Sequence, residues 1–207
     1  MKLQRLAGFG PAAAFISAGA VIVFSVIVQV AANIPPSLIV PAVIVILAMM
    51  TVFVAALAVT LFDLEWIDDP RTSTPRIKLA LGAALVAAVM PAVLGLIQFA
   101  GLPVPDPIPF TIYFLGIGVS VLVHSIEGRR AGIVHGALAW IGIVDGALFI
   151  ALAALQALVL FTFALVMGAY YTLPVVYLLY VVWAVWMGVH LVRAKSPARI
   201  RTATATS

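Results

Sequence analysis

From Ala131 to Ala169 the chain runs through 39 residues that are almost all apolar, and this stretch limits every arrangement the rest can take. As a single helix it would reach about 58 Å, against ~30 Å of bilayer hydrocarbon. It is too long for one simple span. Cutting it in two would need a turn, yet between Gly146 and Gly168 there is no Pro, Gly, Asn, Asp or Ser to make one. The expectation is one long helix over 131–169 that tilts, bends or projects.

Similar runs recur along the chain. Residues are 65% hydrophobic and 9% charged, which excludes an ordinary soluble domain, where about a quarter are charged. The expected fold class is all-α: a polytopic integral membrane helical bundle of about six transmembrane helices. No stretch is long and polar enough for a second folded domain. The absence of Cys excludes disulfides, thiolate metal sites and cysteine nucleophiles. The net charge of +4 does not point to nucleic acid, because the basic residues sit beside membrane spans rather than in a stripe. The partner to expect first is the lipid bilayer, with a membrane-protein partner or a second copy of the chain as a further possibility.

Six spans follow from the hydropathy pattern: residues 11–32, 38–62, 75–100, 108–126, 131–169 and 174–192. Lys2 and Arg5 before the first run resemble a signal peptide, but the run is long for one, so an uncleaved signal-anchor is expected. Asp63 to Lys78 reads as the one substantial polar loop, solvated rather than cation-binding. Thr74-Pro75 looks like a cap followed by proline at the first helical position. Pro91 lies inside the third span and predicts a kink. Gly168 to Pro174 reads as a turn, and residues 193–207 as a basic, then Ser/Thr/Ala-rich, disordered tail.

Charge placement checks this division. All 11 Lys and Arg residues fall on the side of Lys2 and Arg5, and none on the other. The positive-inside rule then gives an even number of spans with both termini cytoplasmic, in the cell membrane.

Polar residues within the spans are the functional candidates, since placing them in hydrocarbon costs several kcal/mol. On the fourth span Tyr113, Gly116, Ser120, His124 and Glu127 recur at steps of three and four and so share one face. That stripe reads either as a substrate or proton path or as a packing face. On the fifth, Ala139, Gly142, Gly146 and Ala153 share a face with His135 and Gln156, and Asp145 stands at its margin. Small residues favour close helix contact, interrupted at Phe149. The depth of Asp145 depends on where its helix begins. Entry directly after Arg130 puts it ~22 Å along the helix, which suits proton coupling. Anchoring by Tyr170 and Tyr171 at the far end puts it at the cytoplasmic interface instead.

His124, His135 and His190 all lie near the basic boundary, and a pair on different helices has the chemistry to ligate haem b. Trp183, Trp186 and His190 would then supply flat walls for a macrocycle or quinone. The simpler reading is interfacial rings. There is no G-x-S-x-G, H-E-x-x-H or G-K-[ST] motif, so nothing signals an enzyme. A small permease or channel-like transporter is the leading expectation. An accessory or structural subunit and a haem- or quinone-binding electron-transfer subunit are the alternatives.

Overall fold

The computed structural model of the chain describes residues 9–31, 35–68, 75–101, 107–134, 136–159 and 163–204. Among them are six α-helices and no strand: α1 Gly10–Ala31, α2 Ile39–Asp68 after a short 3-10 turn at Pro36–Leu38, α3 Pro75–Phe99, α4 Pro107–Arg130, α5 Gly136–Val159 and α6 Phe163–Thr204. Each contains a stretch long and apolar enough to cross a bilayer, so the chain is an all-α, multi-pass membrane protein.

The fifth and sixth helices depart from the sequence expectation. Gly132 takes φ +75° and terminates α4: the Ile133 amide donates to the Gly128 carbonyl (2.9 Å) and the Gly132 amide to Arg129 (3.1 Å). This is a Schellman closure, the arrangement that satisfies the last carbonyls of a helix. Gly132 therefore ends one helix rather than opening the next, and α5 begins at Gly136. It also ends early, at Val159, giving a length of ~36 Å that suits one crossing. The single helix over 131–169 is thus corrected. The last helix begins at Phe163.

The expected turn at Gly168 to Pro174 is helical. α6 carries Pro174 inside it at the cost of one backbone bond, to the Tyr170 carbonyl. It also runs on through residues 193–204, which were expected to be disordered. Six helices remain long and apolar enough to cross, because residues 163–169 at the end of the long run join the last helix. α3 starts at Pro75 and continues through Pro91 to Phe99.

Each helix packs against the next, and α6 packs back against α1, closing the six into a ring. Large apolar side chains such as Ile22, Val26, Leu85, Val89, Leu96 and Leu178 point outward, as a lipid-facing surface requires. The polar side chains lie inside: Ser17, Thr60, Ser120, His124, Ser125 and Asp145 are all buried. Some are satisfied locally. Thr60 donates to the Ala56 carbonyl and Thr51 to the Leu47 carbonyl, each at 2.9 Å within its own helix.

At the basic end Asp63 is not the start of a solvated loop. α2 continues to Asp68, and Asp63 is buried, its carboxylate set against Gly10 in the first turn of α1. A carboxylate there faces the positive end of the helix dipole, and any side chain at position 10 would collide with it. No group of three acidic or histidine residues able to hold a metal ion occurs among the described residues.

Candidate functional site

The stripe on α4 meets α3 at Gly116, Ser120 and Glu127. A Cβ on Gly116 would stand 2.6 Å from the Ala83 carbonyl oxygen and 2.8 Å from Ala87. One turn on, the Ser120 hydroxyl has a single proton to share between the Ala80 carbonyl of α3 (2.7 Å) and its own Gly116 carbonyl (2.6 Å). His124 Nδ1 donates to the Ser120 carbonyl (2.8 Å). Glu127 closes the seam, accepting from Arg130 at 2.8 Å and from Arg76 of α3 at 3.5 Å. Gly116, Ser120 and Glu127 thus meet α3, whereas Tyr113 is buried against Phe53 of α2 and His124 is buried with its Nδ1 on its own helix.

The opposite side of α4 meets α5. A Cβ on Gly118 would lie 2.8 Å from the Gly146 carbonyl oxygen, and one on Gly146 only 2.6 Å from the Leu122 amide. Such proximity of backbones needs glycine. It brings α5 so close that Gly142 has Ser125 Oγ of α4 and Trp183 Nε1 of α6 crowded against it. Ser125 and Trp183 are fully buried, and neither polar atom has a hydrogen-bond partner.

Asp145 lies three residues further along this face, ~14 Å from the start of α5, and is 0% exposed. The arrangement anchored at Tyr170 and Tyr171, which placed it at the interface, does not hold, because both residues belong to α6. Among the described residues neither carboxylate oxygen of Asp145 has a hydrogen-bond partner. It is within electrostatic reach of Tyr180 on α6, whose hydroxyl is hydrogen-bonded to Ser17 on α1. Four helices thus contribute to one buried polar layer in the half of the bundle nearer the basic end. Unsatisfied buried polar groups are costly and uncommon, so a cluster of them is a stronger functional sign than a matched pair.

A layer of rings lies beyond it. Phe149, one turn from Asp145, is fully buried and packs on Tyr180 (6.2 Å between centroids), Tyr177 (6.1 Å) and Phe114 (6.2 Å). Phe53 joins from α2, edge-on to Tyr180 at 4.7 Å and to Tyr113 at 6.4 Å. Past this layer the centre opens into a cavity of about 290 Å³, lined by Phe24, Met50, Phe110, Phe114, Gln156, Leu173 and Tyr177. A second space of about 230 Å³ shares Phe24, Met50 and Phe110 with it. Asp145 and Gln156 therefore stand on the same interior face of α5, ~16 Å apart along its axis, with Phe149 between them.

Trp183 is packed inside against Gly142 and Tyr180, whereas Trp186 is 45% exposed on the outside of the bundle. His190 is half-buried, and His124 is buried with its Nδ1 on the Ser120 carbonyl. His135 lies outside the described residues. The sequence reading missed Ser17, Ser125 and Tyr180 as site residues. A signal for one of them existed, since Val176, Tyr177, Tyr180, Trp183, Ala184, Met187 and Leu191 make a helical row that is buried throughout. No protein-family model matches the chain, and neither curated proteins nor solved structures give a match, so the site is read from its own geometry.

Proposed function

We propose that the protein is a small proton-coupled transporter whose substrate enters the central cavity away from the basic end and whose coupling group is Asp145. The observation that carries this reading is a fully buried carboxyl group with neither oxygen paired among the described residues, one helical turn from Phe149, whose ring packs on the Phe114 and Tyr177 that line the cavity. A purely structural bundle of this size gains nothing from such a residue. Leucine would pack there at no electrostatic cost. By the positive-inside rule the polar layer faces the cytoplasm and the cavity the outside. Transport then needs Phe149 and its partner rings to move aside and α6 or α1 to part from α5 on the other half. The α4–α5 glycine contact would serve as the fixed seam. Pro91 leaves the Ala87 carbonyl without its helical donor and is a place where α3 can bend.

The test is proton flux in proteoliposomes carrying an internal pH dye, with a panel of small solutes added outside. Solute-driven flux that is lost in Asp145→Asn, while the variant stays folded, supports the reading. Flux unchanged in Asp145→Asn would refute the assignment of the coupling group.

One observation favours the accessory-subunit alternative. A lipid-facing groove of about 410 Å³ between α2 and α3 is lined by Ala55, Ala58, Val59, Phe62, Leu81, Leu85 and Ala88, a surface onto which another helix would fit. Absence of flux for every solute, together with stable co-purification of a membrane partner, would select it.

A further inference from the structure

The proposed transport site leaves its substrate unnamed, and the cavity lining narrows the choice. Phe24, Phe110, Phe114 and Tyr177 surround the space, with Phe24 and Tyr177 edge-on at 5.5 Å and Phe110 stacked on Phe114 at 6.3 Å. Gln156 is the one amide among the lining residues, and none of them is charged. Sugars and zwitterions would leave most of their polar groups without partners in such a space. An anion would meet no basic side chain, because every described Lys and Arg lies toward the other end of the bundle. A neutral hydrophobe would gain little over simply staying in lipid.

Ring faces carry partial negative charge and attract cations, most strongly those with weak hydration such as quaternary ammonium groups. When it is ionised, Asp145 adds a full negative charge one helical turn from Phe149, in surroundings where screening by water is weak. We propose that the cavity binds a monovalent organic cation with apolar substituents, and that its binding and protonation of Asp145 oppose one another. This deepens the transport reading and rests on it for direction: one cation inward, or outward, against one proton, with charge balanced across each cycle.

The sign of the pH effect follows. With Asp145 ionised the cation is attracted; with Asp145 protonated that attraction is gone, so affinity falls on acidification. Other groups facing Asp145 do not reverse this. Ser125 and Trp183 do not titrate, and a proton gained by His124, next to Ser125 on α4, would add positive charge and so lower cation affinity in the same direction.

The experiment uses the full chain in lipid nanodiscs and radiolabelled benzyltrimethylammonium as the probe, with neopentylbenzene (its neutral carbon analogue) and benzylsulfonate as competitors. Saturable binding is expected, displaced by unlabelled cation but not by the sulfonate, weakened about tenfold by acidification, and weakened about tenfold and made independent of pH by Asp145→Asn. Phe114→Leu, which keeps an apolar wall but removes a ring, is expected to weaken it severalfold without altering the pH dependence. No saturable binding, displacement by the neutral analogue as readily as by the cation, or an unchanged pH profile in Asp145→Asn each overturns the proposal. The two readings fail separately. Absent cation binding with Asp145-dependent solute flux intact would refute only the substrate class, whereas cation binding without flux would refute transport and leave the site.

Discussion

Gly118 on α4 and Gly146 on α5 meet backbone to backbone: a Cβ on the first would lie 2.8 Å from the carbonyl oxygen of the second, and a Cβ on the second 2.9 Å from the carbonyl oxygen of the first. The contact fixes the distance between two helices and, through the neighbouring residue, the position of Asp145. Gly146→Val is expected to lower stability by roughly 1–3 kcal/mol, since overpacking forces backbone apart. Gly82→Ala is the control. Nothing lies within 4 Å of a Cβ there, so the change is expected to be neutral or to stabilise by up to about 1 kcal/mol through helix propensity. Reversible unfolding in mixed micelles measures both.

Ser17 and Tyr180 tie the first helix to the last through a buried hydrogen bond. Tyr180→Phe strands the Ser17 hydroxyl and is expected to cost about 1 kcal/mol. In the double variant with Ser17→Ala part of that cost returns, with a coupling of about 0.6 kcal/mol, as is usual for bonds between membrane helices. A double-mutant cycle reads this, and strict additivity would show that the bond contributes nothing.

Phe149 packs on the cavity-lining rings of Phe114 and Tyr177, one helical turn from Asp145. Phe149→Ala would leave a void costing roughly 3–5 kcal/mol and would extend the cavity toward Asp145. The expected outcome is passive proton leak into proteoliposomes without added solute. Phe149→Leu, which still fills most of the space, is expected to remain tight. A tight Phe149→Ala would mean that another residue forms the barrier.

Glu127 belongs to the stripe that could be read as a proton path, but it accepts from Arg76 and Arg130, whose side chains are 70% and 62% exposed. Exposed pairs of this kind contribute under about 1 kcal/mol. Glu127→Gln is therefore expected to leave solute-driven flux unchanged and stability nearly so. Loss of flux would restore the stripe as a path.

Orientation can be read directly because the chain has no cysteine. Single cysteines at Ala131, in the turn after α4, and at Ala100, after α3, lie at opposite ends of the bundle and are both exposed. In intact cells an impermeant maleimide is expected to label the cysteine at position 100 and spare that at 131. The reverse pattern would turn the molecule over and place the cavity on the cytoplasmic side.

The sequence by itself determined that six helices cross the membrane, where most of them begin, and that the basic residues gather at one end. Lipid offers no partner for backbone polar groups, so each span must satisfy itself within one helix and its hydropathy window is enough to find it. Sequence could not divide the run from Ala131 to Ala169, because an apolar stretch of double length reads the same whether it is one helix or two with a short turn. Tertiary structure made that division: Gly132 closed α4, and α5 ended at Val159. Nor could spacing say what the polar residues do. Gly116 and Ser120 share a face whether it lines a path or a seam, and only the tertiary structure brought α3 against them. Ser125, Trp183 and Tyr180 lie 20 or more residues from Asp145. They became one layer because glycines at 118, 142 and 146 let three helices approach more closely than side chains would permit.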